Sequence, residues 1–164
     1  MRALPPPRRG NASDLLSVLR ATLKRAHDSG DLVTPMHDIM KSVKKSDAPK
    51  GAPSGAVGIV GGTKDFKRAD SSAELKRSDG RWFHFAIAVF EDRNTIDLLA
   101  YSFELVIPDH TPEFIRFDFN LPEHANADRG MRSHVHPGHR RMVLPSPVLD
   151  PTEAIAFMLT LARV

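Results

Sequence analysis

The sequence predicts an α+β fold: an antiparallel meander of three or four strands, a carboxy-terminal helix packed on it and a helical amino-terminal segment. Three observations carry that expectation. From Arg81 to Phe119, apolar residues alternate with period two over three successive runs, which is the repeat of strands with one face turned to a core. Leu15, Leu16, Val18, Leu19 and Leu23 recur at helical spacing near the start, and Ile155, Phe157, Met158 and Leu161 do so near the end. The 164 residues, 41% hydrophobic and 26% charged, suit one core in one domain rather than two.

Residues 1–12 hold three consecutive prolines and three arginines, a composition that favours a flexible, solvated tail. Residues 13–45 read as two helices. Ser13 is placed to cap the first and Gly30 to stop it. The second runs from Pro35 to Lys45, with Thr34 as its cap and Met36, Ile39, Met40 and Val43 on one side. Residues 46–80 are rich in Gly, Pro, Ser and alternating charge, and read as a long loop with at most one short strand at Ala56 to Val60. Residues 81–164 form the expected α+β core. Phe83, Phe85, Ile87 and Val89 share one face of the first strand, with Trp82, His84 and Ala86 on the other. A turn at Glu91 to Asn94 leads into Ile96 to Ile107, where Leu99, Tyr101, Phe103, Leu105 and Ile107 align. In Phe114 to Phe119, Ile115, Phe117 and Phe119 oppose Arg116 and Asp118. Arg141 to Leu144 reads as a short edge strand, and the last helix has Asp150 as cap, Pro151 in its first turn and Glu153 three residues on.

Composition also excludes functions. With no cysteine there is no disulfide, thiolate metal site or cysteine nucleophile. Any metal must be held by His, Asp or Glu. No long apolar run follows the arginines at the start, so neither a secretory signal nor a membrane anchor is expected, and the cytoplasm is the expected location. The Asn11-Ala12-Ser13 sequon is then a chance match. The net charge of +3 is unevenly spread: residues 1–50 carry ten Lys or Arg against five acids, whereas residues 81–164 carry eight against eleven. A surface that binds nucleic acid all over is not supported. Gly58, Gly61 and Gly62 before Lys64 lack the spacing of a phosphate loop, and no serine lies in a nucleophile elbow.

Most of the available chemistry is crowded between His124 and Arg141, with His124, Asp128, Arg129, Arg132, His134, His136, His139, Arg140 and Arg141. In an extended His134-Val135-His136, both imidazoles point the same way. Three uses compete. His134, His136 and His139, with a carboxylate from Asp118, Glu123 or Asp128, can hold a divalent metal. His134 and His136 can act as general base and acid while Arg132 or Arg140 stabilises a phosphate, which suits RNA or nucleotide cleavage. The same groups can bind a phosphate or a protein without reaction, and histidines and arginines in such a connection often only solvate a loop. Arg116 and Asp118 read as an ion pair on one strand face and as binding candidates, alongside His139. His84 reads as a core histidine; if its face is the active one, it falls near Arg116 and Asp118. The basic helix with Arg20, Lys24 and Arg25 shows the charged outer face of any amphipathic helix.

The run Phe114-Ile115-Arg116-Phe117-Asp118-Phe119-Asn120, then His134-Val135-His136-Pro137-Gly138, then Leu144-Pro145-Ser146-Pro147 and a closing helix resembles small prokaryotic proteins of toxin-antitoxin and phage-defence operons, the TumE-like toxins in particular. The resemblance covers residues 114–164. It implies a bacterial stress or defence role, a cognate protein partner, action on RNA or nucleotide phosphate, and Arg116, Asp118, His134 and His136 as functional positions. A homodimer is a further expectation. The expectation from a different class is a non-catalytic interaction module, an adaptor or antitoxin-like partner whose sheet edge or amino-terminal helix docks on another protein.

Overall fold

The computed structural model describes residues 8–62, 74–122 and 130–161. Its elements are, in chain order, β1 (Arg8–Arg9), α1 (Ala12–Asp28), α2 (Met36–Ser42), β2 (Lys44–Asp47), β3 (Ala56–Gly61), β4 (Leu75–Lys76), β5 (Trp82–Asp92), β6 (Thr95–Val106), β7 (Phe114–Phe119), β8 (Ser133–Pro137), β9 (Leu144–Pro145) and α3 (Pro151–Thr160). The fold is α+β with one antiparallel sheet. Its path runs β2-β3-β5-β6-β7-β8-β9, with β1 added beside β6 and β4 beside β5. Among the described residues no helix is long and apolar enough to cross a membrane.

The expected three- or four-stranded meander is therefore an undercount: among the described residues nine strands join the sheet. Within the stretch 46–80 the short strand expected at Ala56 to Val60 is present as β3, which pairs with β5 along its whole length, Ala56 opposite Phe90 through Gly61 opposite Phe85. A Cβ at Gly61 would collide with the Phe85 ring, so the absence of a side chain lets that ring lie across the strand. The tail expected over residues 1–12 is also corrected at its end, since Arg8 and Arg9 pair with Ile96 and Thr95, and Gly10 N donates to Asn94 O at 2.8 Å.

The helices differ from expectation at their ends for reasons of hydrogen bonding. Asn11, not Ser13, caps α1. Its side chain accepts from the Ser13 and Asp14 amides, and the Asp14 carboxylate accepts from Asn11 N at 2.9 Å, completing a capping box. Thr34 does not cap α2; its hydroxyl donates to Glu74 O and accepts from Lys76 N, locking that loop to β4. The second helix stops at Ser42, and Lys44 and Lys45 enter β2. Arg20 holds this end, with Nε on Val43 O at 2.9 Å and an Nη on Met40 O at 3.1 Å. In α3 the expected Asp150 cap is present on Thr152 N at 2.8 Å, with Pro151 in the first turn.

One face of the sheet makes the core. Leu15, Leu19 and Leu23 of α1 and Ile155 and Met158 of α3 pack with Phe83, Phe85, Ile87, Val89, Tyr101, Phe103, Leu105 and Phe119. The rings form a connected series: Phe85 on Phe103, Phe103 on Tyr101, Tyr101 on Phe119. Burial pushes the Tyr101 phenol up, and its oxygen accepts from Leu149 N at 2.9 Å, fixing the chain that enters α3. The carboxyl end of α3 is tied down by buried arginines: Arg77 donates to Met158 O and Leu161 O, Arg81 donates to Leu161 O, and Asp79 bridges the two guanidinium groups. The β5–β6 register shifts between Ala88 and Val89, so Leu98, not the expected Leu99, lies against the core.

Candidate active site

The opposite face of the sheet carries a polar array that strand register alone assembles. His84 on β5 pairs with Glu104 on β6, Glu104 with Arg116 on β7, and Arg116 with His136 on β8. Four chemically active side chains thus form one straight row across four neighbouring strands, spanning about 14 Å at the usual strand spacing. The next row is Ala86, Ser102, Asp118 and His134. In β-strands residues two apart share a face, so both rows look the same way.

Charge runs continuously along the array. His84 Nε2 is 3.5 Å from Glu104 Oε1, and an Nη of Arg116 is 3.5 Å from Glu104 Oε2. Arg116 Nε donates to Asp118 Oδ2 at 2.8 Å. That oxygen also faces His136 Nε2 at 3.4 Å and His134 Nε2 at 3.7 Å. The two rings meet edge to face, their centroids 4.9 Å apart. His134 Nδ1 contacts Met131 O at 3.0 Å; a carbonyl only accepts, so Nδ1 carries the proton and Nε2 is left to face Asp118. Burial pulls the His134 pKa down, against the opposing pull of Asp118. Nδ1 of His136 has no hydrogen-bond partner among the described residues.

Exposure divides the array by role. His84, His134 and His136 are 1%, 2% and 5% exposed, whereas the side chains of Glu104 and Arg116 reach 20% and 21%. A ligand therefore meets the carboxylate and the guanidinium first, with the imidazoles set behind and beside them. Backbone packing fixes that depth: Gly62, at φ +74°, passes so close to His84 that a Cβ there would lie 2.8 Å from the histidine's own. With the imidazoles neutral the array carries two negative charges against one positive.

The sequence-derived candidates separate clearly. Arg116, Asp118, His134 and His136 come together. Arg132 does not join them: its Nε donates to Asn120 O, an Nη donates to Leu99 O, the carbonyl beside the register shift, and its guanidinium covers the Phe119 ring at 4.1 Å. It braces β6, β7 and β8, and burial pulls its pKa down. His139 and Arg140 are exposed in the turn after β8, where His139 Nδ1 accepts from Arg141 N. Of the metal candidates, His134 and His136 come together with the Asp118 carboxylate, their ligand atoms within 4.8 Å of one another, and His139 does not join them. His84, read as a core histidine, belongs to the array. Glu104 was missed; its only signal is a lone acid among aromatic and aliphatic neighbours, on the side of β6 opposite Phe103 and Leu105. Glu123, His124, Asp128 and Arg129 lie outside the described residues. Compared with protein-family models, with curated proteins and with solved structures, the chain matches none, and the functional reading rests on this geometry.

Proposed function

We propose that the chain cleaves RNA by a metal-independent transesterification centred on the row His84, Glu104, Arg116 and His136. The observation that carries this reading is the order of the groups. A guanidinium stands between a carboxylate on one side and an imidazole on the other, all on one rigid sheet. Phosphodiester cleavage by an internal hydroxyl needs a base at one end of the reacting phosphorus, an acid at the opposite end and a cation between them. Glu104 takes the proton of the ribose 2′-hydroxyl, and O2′ attacks phosphorus. Arg116 stabilises the charge on the non-bridging oxygens. The P–O5′ bond breaks as His136 donates a proton to the leaving oxygen, giving a 2′,3′-cyclic phosphate and a free 5′-hydroxyl. His84 holds Glu104 and, with His134, sets the charge of the array; Asp118 orients Arg116 and His136. Arg116 takes the phosphate role that the sequence offered to Arg132 and Arg140.

A toxin or defence role with a cognate protein partner is part of this proposal, supported by the resemblance of residues 114–164. The test uses single-stranded RNA beside the same strand with 2′-O-methyl riboses, both with EDTA. Cleavage of the first alone, ending in cyclic phosphate, is expected. Cleavage of both, or of neither, overturns the mechanism. Inactivity together with retained partner binding would favour the non-catalytic interaction module instead.

A second reading is favoured by one observation: the Asp118, His134 and His136 ligand atoms converge, with His134 Nδ1 already anchored on a carbonyl as metal-bound histidines are. A zinc-like divalent ion suits this donor set. Against it, Arg116 occupies the Asp118 oxygen that the ion would need. Cleavage that stops in EDTA and returns with added zinc would support the metal.

A further inference from the structure

The geometry points to a nucleobase subsite on the row next to the catalytic one, formed by Trp82, Val106 and Phe114; this rests on the RNA-cleaving reading and names how its substrate is held. Trp82 pairs with Val106, and Val106 with Phe114. Each lies two residues along its strand from His84, Glu104 and Arg116, so the three share the array's face. All three are half-buried, and none belongs to the hydrophobic core built by the helices. Phe83, Phe85, Phe103 and Phe119 are fully buried in the core, and the half-buried Phe117 and Phe157 pack against it. Trp82 and Phe114 are half-buried without joining that core, on the face that carries the charged groups. The Trp82 ring stands 5.6 Å from that of His84.

The distance between rows fits a nucleotide. Two residues along a strand cover about 7 Å, the gap that a ribose bridges between phosphate and base. A phosphate held by Arg116 therefore carries its base onto the ledge, where it stacks on an aromatic face. Paired bases are stacked on their neighbours and are not free to do so, which selects single-stranded RNA. Stacking uses the π-face that every base has, so the ledge gives affinity with little base preference.

Trp82 is the single tryptophan of the chain, so its emission reports on the ledge directly. The full chain is titrated with adenosine monophosphate, adenosine and inorganic phosphate, followed by tryptophan fluorescence and by calorimetry. The nucleotide should quench Trp82 and bind roughly tenfold or more tightly than phosphate, the gain of one stacked base. Trp82→Leu should bring the nucleotide down to the phosphate level and leave phosphate binding unchanged, while Trp82→Phe keeps most of the difference; circular dichroism confirms folding. If phosphate binds but the nucleotide neither quenches nor gains affinity, the ledge is overturned and the cleavage reading stands. If adenosine quenches while phosphate does not bind, the ledge stands and the cleavage reading falls. If nothing binds, both fall.

Discussion

The two faces of one sheet obey opposite rules. Towards α1 and α3, β5, β6 and β7 present Phe83, Phe85, Ile87, Tyr101, Phe103, Leu105 and Phe119, whose value is the apolar area they withdraw from water. On the other face the same strands present His84, Glu104, Arg116 and Asp118, with His134 and His136 from β8. Desolvating ionisable groups is unfavourable even when they are paired, and an apolar replacement is often neutral or better for stability. The first face accounts for folding. On the proposed reading the second is explained by chemistry, since concentrated violations of the folding rules are characteristic of functional sites.

The comparison is sharpened first on the apolar face. Phe103→Ala should destabilise the chain by about 3–5 kcal/mol, measured by urea unfolding, because it opens a cavity between the Phe85 and Tyr101 rings. Arg77→Ala follows, at about 3 kcal/mol, since it leaves Asp79 short of a partner and uncovers the carboxyl end of α3. Arg132→Ala should cost about 1–2 kcal/mol through the lost Leu99 and Asn120 contacts, and should lower activity only as far as it loosens β8. A large activity loss without destabilisation would return Arg132 to the phosphate role.

A smaller effect tests the electrostatics. The native pKa of His134 is held below its ordinary 6.5, so the unfolded chain binds its proton more readily than the folded one. That contribution is fully present above pH 6.5 and is lost as pH falls from there to the lowered native value. His134→Gln should flatten the decline in urea midpoint over that interval; an unchanged slope would contradict the lowered native pKa of His134. Smallest of all, Arg140→Ala should stay within about 0.5 kcal/mol in stability and leave cleavage unchanged, because the residue is exposed in the turn after β8 and the proposed mechanism does not use it.

The sequence made one face more legible than the other. Period two marks β5, β6 and β7, and a cap with proline marks α3, because those signals are local. The shared direction of His134 and His136 was equally local. What was not local was lost. Glu104 becomes part of a site only when β6 is registered between His84 and Arg116, and no spacing along the chain encodes that pairing. Arg132 looked free until the register shift at Ala88/Val89 turned the Leu99 carbonyl towards it. The short strand at Ala56 to Val60 was legible as an apolar island, but its place beside β5 was not, and there Gly61 makes room for the Phe85 ring.

The central claim is that the polar face acts and the apolar face holds, and Glu104→Gln tests it most directly. The substitution keeps the shape of the side chain and removes its basicity. Initial rates of single-stranded RNA cleavage with EDTA are measured beside the melting temperature of the same samples. A rate lower by roughly 10²–10⁴-fold with a melting temperature close to wild type is the predicted result. An unchanged rate, or a loss of rate that only follows a loss of structure, would contradict it.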